Sequence, residues 1–510
     1  MINSKSSTKR VAKNTLLLYF RMLLTMTVSL YTSRVVLDAL GVNDFGIYNV
    51  VGGFVSMFAV VSGAMTTASQ RFLSFEIGKG FSGRVHDVFS TTVMIHIGLA
   101  LIILLLGETI GVWFLNKHMN FPVDRYYAAN WVFQFSLITF LINVISVPYN
   151  AAIVAYERMK AFAYVSIIEV LLKLIIVYLI IISPIDRLIL YAALLSIVAI
   201  TIRFIYGVYC RRNFHECGFD WKWDKQLGKQ IASFVSWNLI GSASSIAKGQ
   251  GINVVLNMFF GAIVNAARGI AYQVLNAISG FVGNFQLAMN PQIVKSYAAN
   301  EKTEMFKLVF RGSRLSYLLM LTFVVPVFLE TPYLLNLWLV EVPESTILFL
   351  RLVLLTALVD SLSGTLITSM HASGKVRDYQ IVVGGISLLT LPIVYITLKM
   401  GVEAYWALVI DLSMSILLHF MRVILLKHSI GFPMLTYLKS VTFKVSMISV
   451  LAIIIPVASY LIIPVCFLSF IVICLICVIS TSVCSYIWGL EIKEKLFVMN
   501  KAKMVISKLK

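Results

Sequence analysis

Apolar runs of about 20 residues recur along the whole chain, separated by short clusters of Gly, Pro and charged residues. A helix of that length rises about 30 Å, the thickness of the hydrocarbon core of a bilayer. Cutting the chain at the clusters predicts fourteen spanning helices, near residues 14–37, 46–70, 88–115, 127–154, 160–182, 187–209, 230–258, 262–290, 308–330, 345–370, 378–399, 402–425, 437–460 and 464–488. The weakest boundary lies between the last two, where Pro464 stands in a nearly continuous apolar run. A count of thirteen would move the C-terminus to the other side of the membrane.

Composition agrees with the pattern. The 510 residues are 59% hydrophobic and 13% charged, with a mean hydropathy of +0.89, too apolar for a water-facing surface. The net charge of +19 raises the question of nucleic acid. Its placement answers differently. Of the 42 Lys and Arg residues, 31 fall in segments that alternate to the side of the N-terminus, five on the other side and six within the predicted spans. Such an asymmetry marks the cytoplasmic side, so both termini are expected in the cytoplasm. Most of the charge then serves topology and contact with anionic lipid, with no nucleic-acid partner. Met1–Lys13 is polar and basic, and the run after it is a full span without a small-residue cleavage site, so the first helix is expected to stay in the membrane. Cys466, Cys474, Cys477 and Cys484 sit in the last apolar runs and read as small hydrophobes, with no ligand-type His or acid beside them to make a metal site.

A shift of about 220 residues places Gln70-Arg71-Phe72-Leu73-Ser74-Phe75 on Gln292-Ile293-Val294-Lys295-Ser296-Tyr297. A similar shift places Ala155-Tyr156-Glu157-Arg158-Met159 on Ala372-Ser373-Gly374-Lys375-Val376. The order is the same and the spans between are even in number. The chain is therefore expected to be an N-terminal six-helix lobe with linker (1–228), a second six-helix lobe of the same orientation (229–428), and a terminal helix pair with a basic cytoplasmic tail (429–510). Trp221 and Trp223, among charges, give the linker an interfacial character.

The opening pair of spans, with its SRVVLDALGVNDFGIYNVV turn and ASQRFLSFEIGKG exit, resembles the polysaccharide-exporting branch of the multidrug/oligosaccharidyl-lipid/polysaccharide superfamily, the flippases for O-antigen and related repeat units. The resemblance runs over essentially the full length. It implies an all-α polytopic membrane protein of about 14 transmembrane helices, two lobes around a V-shaped central cavity, alternating access, and a bacterial cytoplasmic (inner) membrane location. It also implies a cargo of lipid-linked oligosaccharide on polyprenyl pyrophosphate, with a polysaccharide polymerase or assembly proteins as partners beside the membrane lipids.

Moving a diphosphate across a low-dielectric layer calls for cations that replace its lost hydration. The candidates are the charged residues within or near spans: Arg21, Lys248 and Arg268, in the leading helices of each lobe, Arg34 near the outer mouth, and Arg351. Each would cost roughly 2.5 kcal/mol or more at hydrocarbon depth unless used or paired. Arg34, Arg203, Arg268 and Arg351 lie near enough to span ends to snorkel instead. Arg21 and Lys248 are deeper, and Lys248 lies in GSASSIAKGQGINVVLN, a stretch too polar to face lipid. Glu169 and Lys173 have the i, i+4 spacing of an ion pair, structural or gating. Asp360 and Asp411 are single mid-span carboxylates, suited to carry a coupling H⁺ or Na⁺ or to cap a polar helix contact. His371 and His419 read as packing residues.

No phosphate loop, nucleophile elbow or HExxH is present, and the longest loops are about 20 residues, so no enzyme and no cofactor is expected. The expected function is a secondary transporter flipping lipid-linked oligosaccharides. The alternatives are a multidrug antiporter of the same superfamily, which would want an acidic cavity, and a structural component of a glycan-assembly complex.

Overall fold

A computed structural model describes residues 4–56, 59–80, 83–119, 121–221, 223–339, 342–463, 467–491, 494–496 and 499. Among them the chain is helical nearly throughout and contains no strand. In order the long helices among the described residues are α1 (4–40), α2 (42–56 and 59–78), α3 (Val85–Lys117), α4 (Val123–Ala155), α5 (Met159–Ile182), α6 (Arg187–Asn213), α7 (225–260), α8 (262–298), α9 (Lys302–Leu329), α10 (Thr346–Ser373), α11 (Val376–Lys399), α12 (Trp406–Ile430), α13 (Met434–Ile462) and α14 (Phe467–Gly489), with a short helix Thr331–Trp338 between α9 and α10. Ten of these, α3–α6 and α9–α14, are each long and apolar enough to cross a membrane. The last two are separate helices, on either side of residues 464–466, which lie outside the described residues.

The other four form two pairs, and in each a single residue interrupts an otherwise helical stretch, Ser4–Ser56 in the first and Lys225–Ala298 in the second. Gly41 breaks the first at φ 77° and Gly261 the second at the same φ, with ψ of 167° and −167°. Only glycine takes this combination without steric cost. A turn of several Gly, Asn and Asp residues was expected after the first span; the helix instead resumes at residue 42. The two glycines are 220 residues apart, the offset of the sequence repeat. Further left-handed positions fall in register: Gly80 with Asn300 at 66° and 60°, and Glu157 with Gly374 at 58° and 75°.

Contacts divide the chain into two compact units. Unit 1 is Met1–Ala243 with Leu287–Glu301, and unit 2 is Ser244–Gln286 with Lys302–Lys510. These units follow contacts and so cross the repeat boundary at 228/229: Phe234 of α7 stands edge-on to Phe72 at 5.6 Å and Tyr297 of α8 lies 6.4 Å from Phe75, both within unit 1.

In unit 1, α4 is the spine. Ala128, Ala129, Val132, Phe133 and Leu137 are buried against Ile47, Val51 and Val55 of α2, Ile103 and Leu115 of α3, and Leu188 and Ala192 of α6. Lipid tails are as apolar as these side chains, so close packing holds such helices together more than the hydrophobic effect does. Gly107 and Gly111 on α3 permit it: an added Cβ would meet Leu137 and Phe133 at 2.7 and 2.6 Å. The linker docks on the start of α3 through Arg84–Asp224 at 2.7 Å and His86–Asp220 at 3.0 Å. The Leu227 backbone N–H, then Arg84, hold the Asp224 carboxyl below the usual range.

In unit 2, the helical bonding of α10 is interrupted at Leu362 without a proline. Polar side chains take up the freed carbonyls: Ser313 donates to Leu362 O at 2.9 Å and Gln286 to Ser361 O at 3.3 Å. After α14, the chain is fastened to α9. Glu494 forms an ion pair with Arg311 at 2.7 Å and accepts from Arg314 at 2.9 Å, and Glu491 accepts from Arg314 at 3.0 Å.

Candidate functional site

Four of the candidates lie together in unit 2. Lys248 of α7 donates to Asp411 Oδ1 of α12 at 2.7 Å, with the two side chains 17% and 5% exposed. Asp360, on α10 just before the break, lies within electrostatic reach of Lys248, Asp411 and Arg422, and beside Ser415. Arg422 donates to Ser363 Oγ, just after the break, at 2.9 Å. Asp411, Ser415 and Arg422 are spaced by four and seven residues along α12, one and two helical turns, and so line one face of it. On either side of the interruption in α10, a carboxylate and a hydroxyl thus lie within the reach of two cations.

Arg268 of α8 completes the group. Its guanidinium, in a residue only 4% exposed, donates to Asn253 Oδ1 of α7 and to Tyr272 OH at 3.3 Å, and covers the Tyr272 ring at 4.5 Å. Tyr272 in turn lies close to Lys248 and Asp411. A continuous polar stretch therefore runs from Asn253 through Arg268, Tyr272, Lys248, Asp411 and Asp360 to Arg422. It holds three cations and two carboxylates, an excess of one positive charge. Lys248 and Asn253 of α7 supply one side of it, and the Asn253 amide also donates to Gln250 at 3.2 Å.

Unit 1 carries its own charged groups. Arg21 of α1 lies over the Phe162 ring at 4.8 Å, near Tyr206 and Glu169. Lys173 donates to Glu169 Oε1 at 2.6 Å, both side chains a third or more exposed. Arg203 stacks over Tyr149 at 3.7 Å. At the α4–α5 turn the buried Glu157 accepts from Lys295 at 2.7 Å and Gln292 at 3.2 Å, while its own carbonyl accepts from Asn14 at 3.4 Å.

The remaining candidates stand apart from these clusters. Arg351 donates to the Phe328 carbonyl at 3.1 Å and covers that ring at 5.4 Å. The Arg34 side chain lies outside the described residues. His419 pairs with Thr442 at 3.3 Å. Among the described residues no three His, Cys, Asp or Glu gather where a metal ion could be held. Sequence reasoning missed Arg422, three residues from the expected end of its span at 425, where a cation reads as belonging to the loop side; the helix runs to Ile430. It also missed Tyr272, for which the i, i+4 spacing from Arg268 was the available signal.

No family model and no curated protein matches the sequence. Solved structures do match it. A variant of the Vibrio cholerae MATE transporter VcmN superposes with a TM-score of 0.69 at 17% identity, over 84% of this chain and 98% of that one. The chain has the MATE fold. A MATE structure in the straight conformation gives 0.69 at 14% identity, over 83% and 96% of the two chains. A transporter of the MOP superfamily from Pyrococcus furiosus, described as having a binding pocket whose reverse polarity suggests a different function, gives 0.67 at 13%, over 84% and 96%. These MATE-fold neighbours are matched almost whole, and the sixth of this chain left over is about the size of its terminal segment 429–510.

Proposed function

We propose that this chain is a secondary transporter that flips polyprenyl-pyrophosphate-linked oligosaccharide across the bacterial inner membrane by alternating access, with both termini in the cytoplasm. The observation that carries the reading is the polar stretch of unit 2, where Lys248, Arg268 and Arg422 outnumber Asp360 and Asp411. An excess of fixed positive charge among membrane helices suits an anionic diphosphate and repels an organic cation. Arg268, with its guanidinium already oriented by Asn253 and Tyr272, is suited to bidentate oxygen contacts, and Arg21 supplies a further cation in unit 1. The MATE fold supplies a transporter scaffold, and the P. furiosus relative is a MOP transporter for which altered pocket polarity is itself read as altered function. Asp360, an exposed carboxylate within electrostatic reach of the Lys248–Asp411 pair, is suited to take up a coupling H⁺ or Na⁺.

Asp360 also favours the second reading, a cation antiporter, since an exposed acid is what a cationic drug would meet. One experiment separates the two. In proteoliposomes holding the full chain, a short-chain fluorescent polyprenyl-pyrophosphate glycan is expected to cross the bilayer, and Lys248→Ala or Arg268→Ala to slow it at least tenfold. Ethidium efflux that survives in place of glycan flipping would decide for the antiporter. Insertion and full flipping by both variants would remove the cationic mechanism. In cells, a polymerase or other glycan-assembly protein is the expected partner.

A further inference from the structure

Unit 1 contains a pocket of about 180 Å³ between α2, α4 and α6 that shares no residue with the charged clusters. We propose that it receives one uncharged sugar ring of the glycan, a subsite for the part of the cargo that the cations do not hold. This inference rests on the flippase reading.

The lining has the chemistry of a pyranose. Tyr48 and Phe140 present aromatic faces, against which the C–H side of a sugar packs. Ser136 and Asn143 present a hydroxyl and an amide that pair with sugar hydroxyls. The lining holds no charged residue, which disfavours both a diphosphate and an organic cation. The amide of Asn143 is exposed, an expensive placement among membrane helices unless something pairs with it. A cavity of about 150 Å³ holds benzene, so the pocket has room for one six-membered ring, with its substituents reaching toward the open side. The walls are fixed: Tyr48 stands edge-on to Tyr191 at 4.9 Å, and Thr139 is tied to Ser196 at 2.9 Å and to the Phe135 carbonyl at 2.8 Å. Tyr48 is seven residues past the Gly41 break, so the pocket begins about 10 Å along α2.

Gly52 makes the test clean. It lines the pocket, and an added Cβ would meet nothing within 4 Å, so a side chain there starts into open space. The full-length protein in nanodiscs is titrated with bare polyprenyl pyrophosphate and with the same lipid carrying a single glucose, galactose or N-acetylglucosamine. At least one sugar-bearing lipid is expected to bind about tenfold tighter than the bare one, the worth of one to two good hydrogen bonds. Gly52→Leu and Asn143→Leu should each abolish that gain and leave bare-lipid binding unchanged, whereas Lys248→Ala should weaken all the lipids alike. Equal binding of bare and sugar-bearing lipids by the wild type overturns the subsite alone, as does a gain that survives both substitutions. If Gly52→Leu weakens the bare lipid as much as the others, the pocket holds a prenyl chain and the subsite is wrong. If wild type binds none of the lipids, the flippase reading itself fails.

Discussion

Gly41 and Gly261 stand 220 residues apart and break their helices at the same left-handed φ of 77°. The turn that opens each repeat is therefore one residue wide, and glycine is there for its backbone. Gly41→Ala and Gly261→Ala should each cost about 1–3 kcal/mol, the usual penalty for a side chain in a sparsely populated region. Gly63→Ala, in a helical and open position, should be neutral or stabilising by up to about 1 kcal/mol. Unfolding in detergent measures all three, and equal effects would show that the breaks do not need glycine.

Lys248 and Asp411 are both mostly buried, so removing one partner strands the other. Lys248→Met should lower stability by about 3–5 kcal/mol. The double variant Lys248→Met/Asp411→Leu should regain most of it, because an apolar pair of similar volume leaves no buried charge, and yet remain without flipping activity. Recovery of stability without recovery of transport, read by melting and by proteoliposome assay, separates the structural role of the pair from its functional one.

Glu157 tests two opposed effects at one residue. Its φ of 58° belongs to glycine, which the equivalent position 374 has. Glu157→Gly relieves about 1 kcal/mol of backbone strain but strands Lys295, whose side chain is 14% exposed, at about 3–5 kcal/mol. The loss should win, by roughly 2–4 kcal/mol. The exchange Glu157→Lys with Lys295→Glu should recover part of the pair's contribution; a melting temperature no higher than that of Glu157→Lys alone would show that Lys295 is not the partner that matters.

Arg314 is 3% exposed and is held by Glu491 and Glu494 from beyond α14. Ending the chain after Gly489 should destabilise unit 2 by several kcal/mol. Arg314→Met in the shortened chain should restore much of it. If truncation alone leaves the melting temperature unchanged, the tail does not secure α9.

The helices and the repeat are legible in the sequence because a bilayer demands long apolar runs and fixes where cations accumulate. Lys248, Arg268, Asp360 and Asp411 are legible one by one for the same reason: a charge inside an apolar run stands out. Their association is not. Lys248 and Asp411 lie 163 residues apart, and nothing local to either names its partner. Arg422 hid because a cation near the end of a span looks like a loop cation until the helix is seen to continue past it.

By itself, then, the sequence determined that this is a polytopic helical membrane protein built on a repeat, with charges where lipid does not tolerate them. Only the tertiary structure decided which of those charges meet. Hydropathy is a sum over neighbours in the chain, whereas the pairing of a buried charge depends on which helices pack together and where α10 breaks.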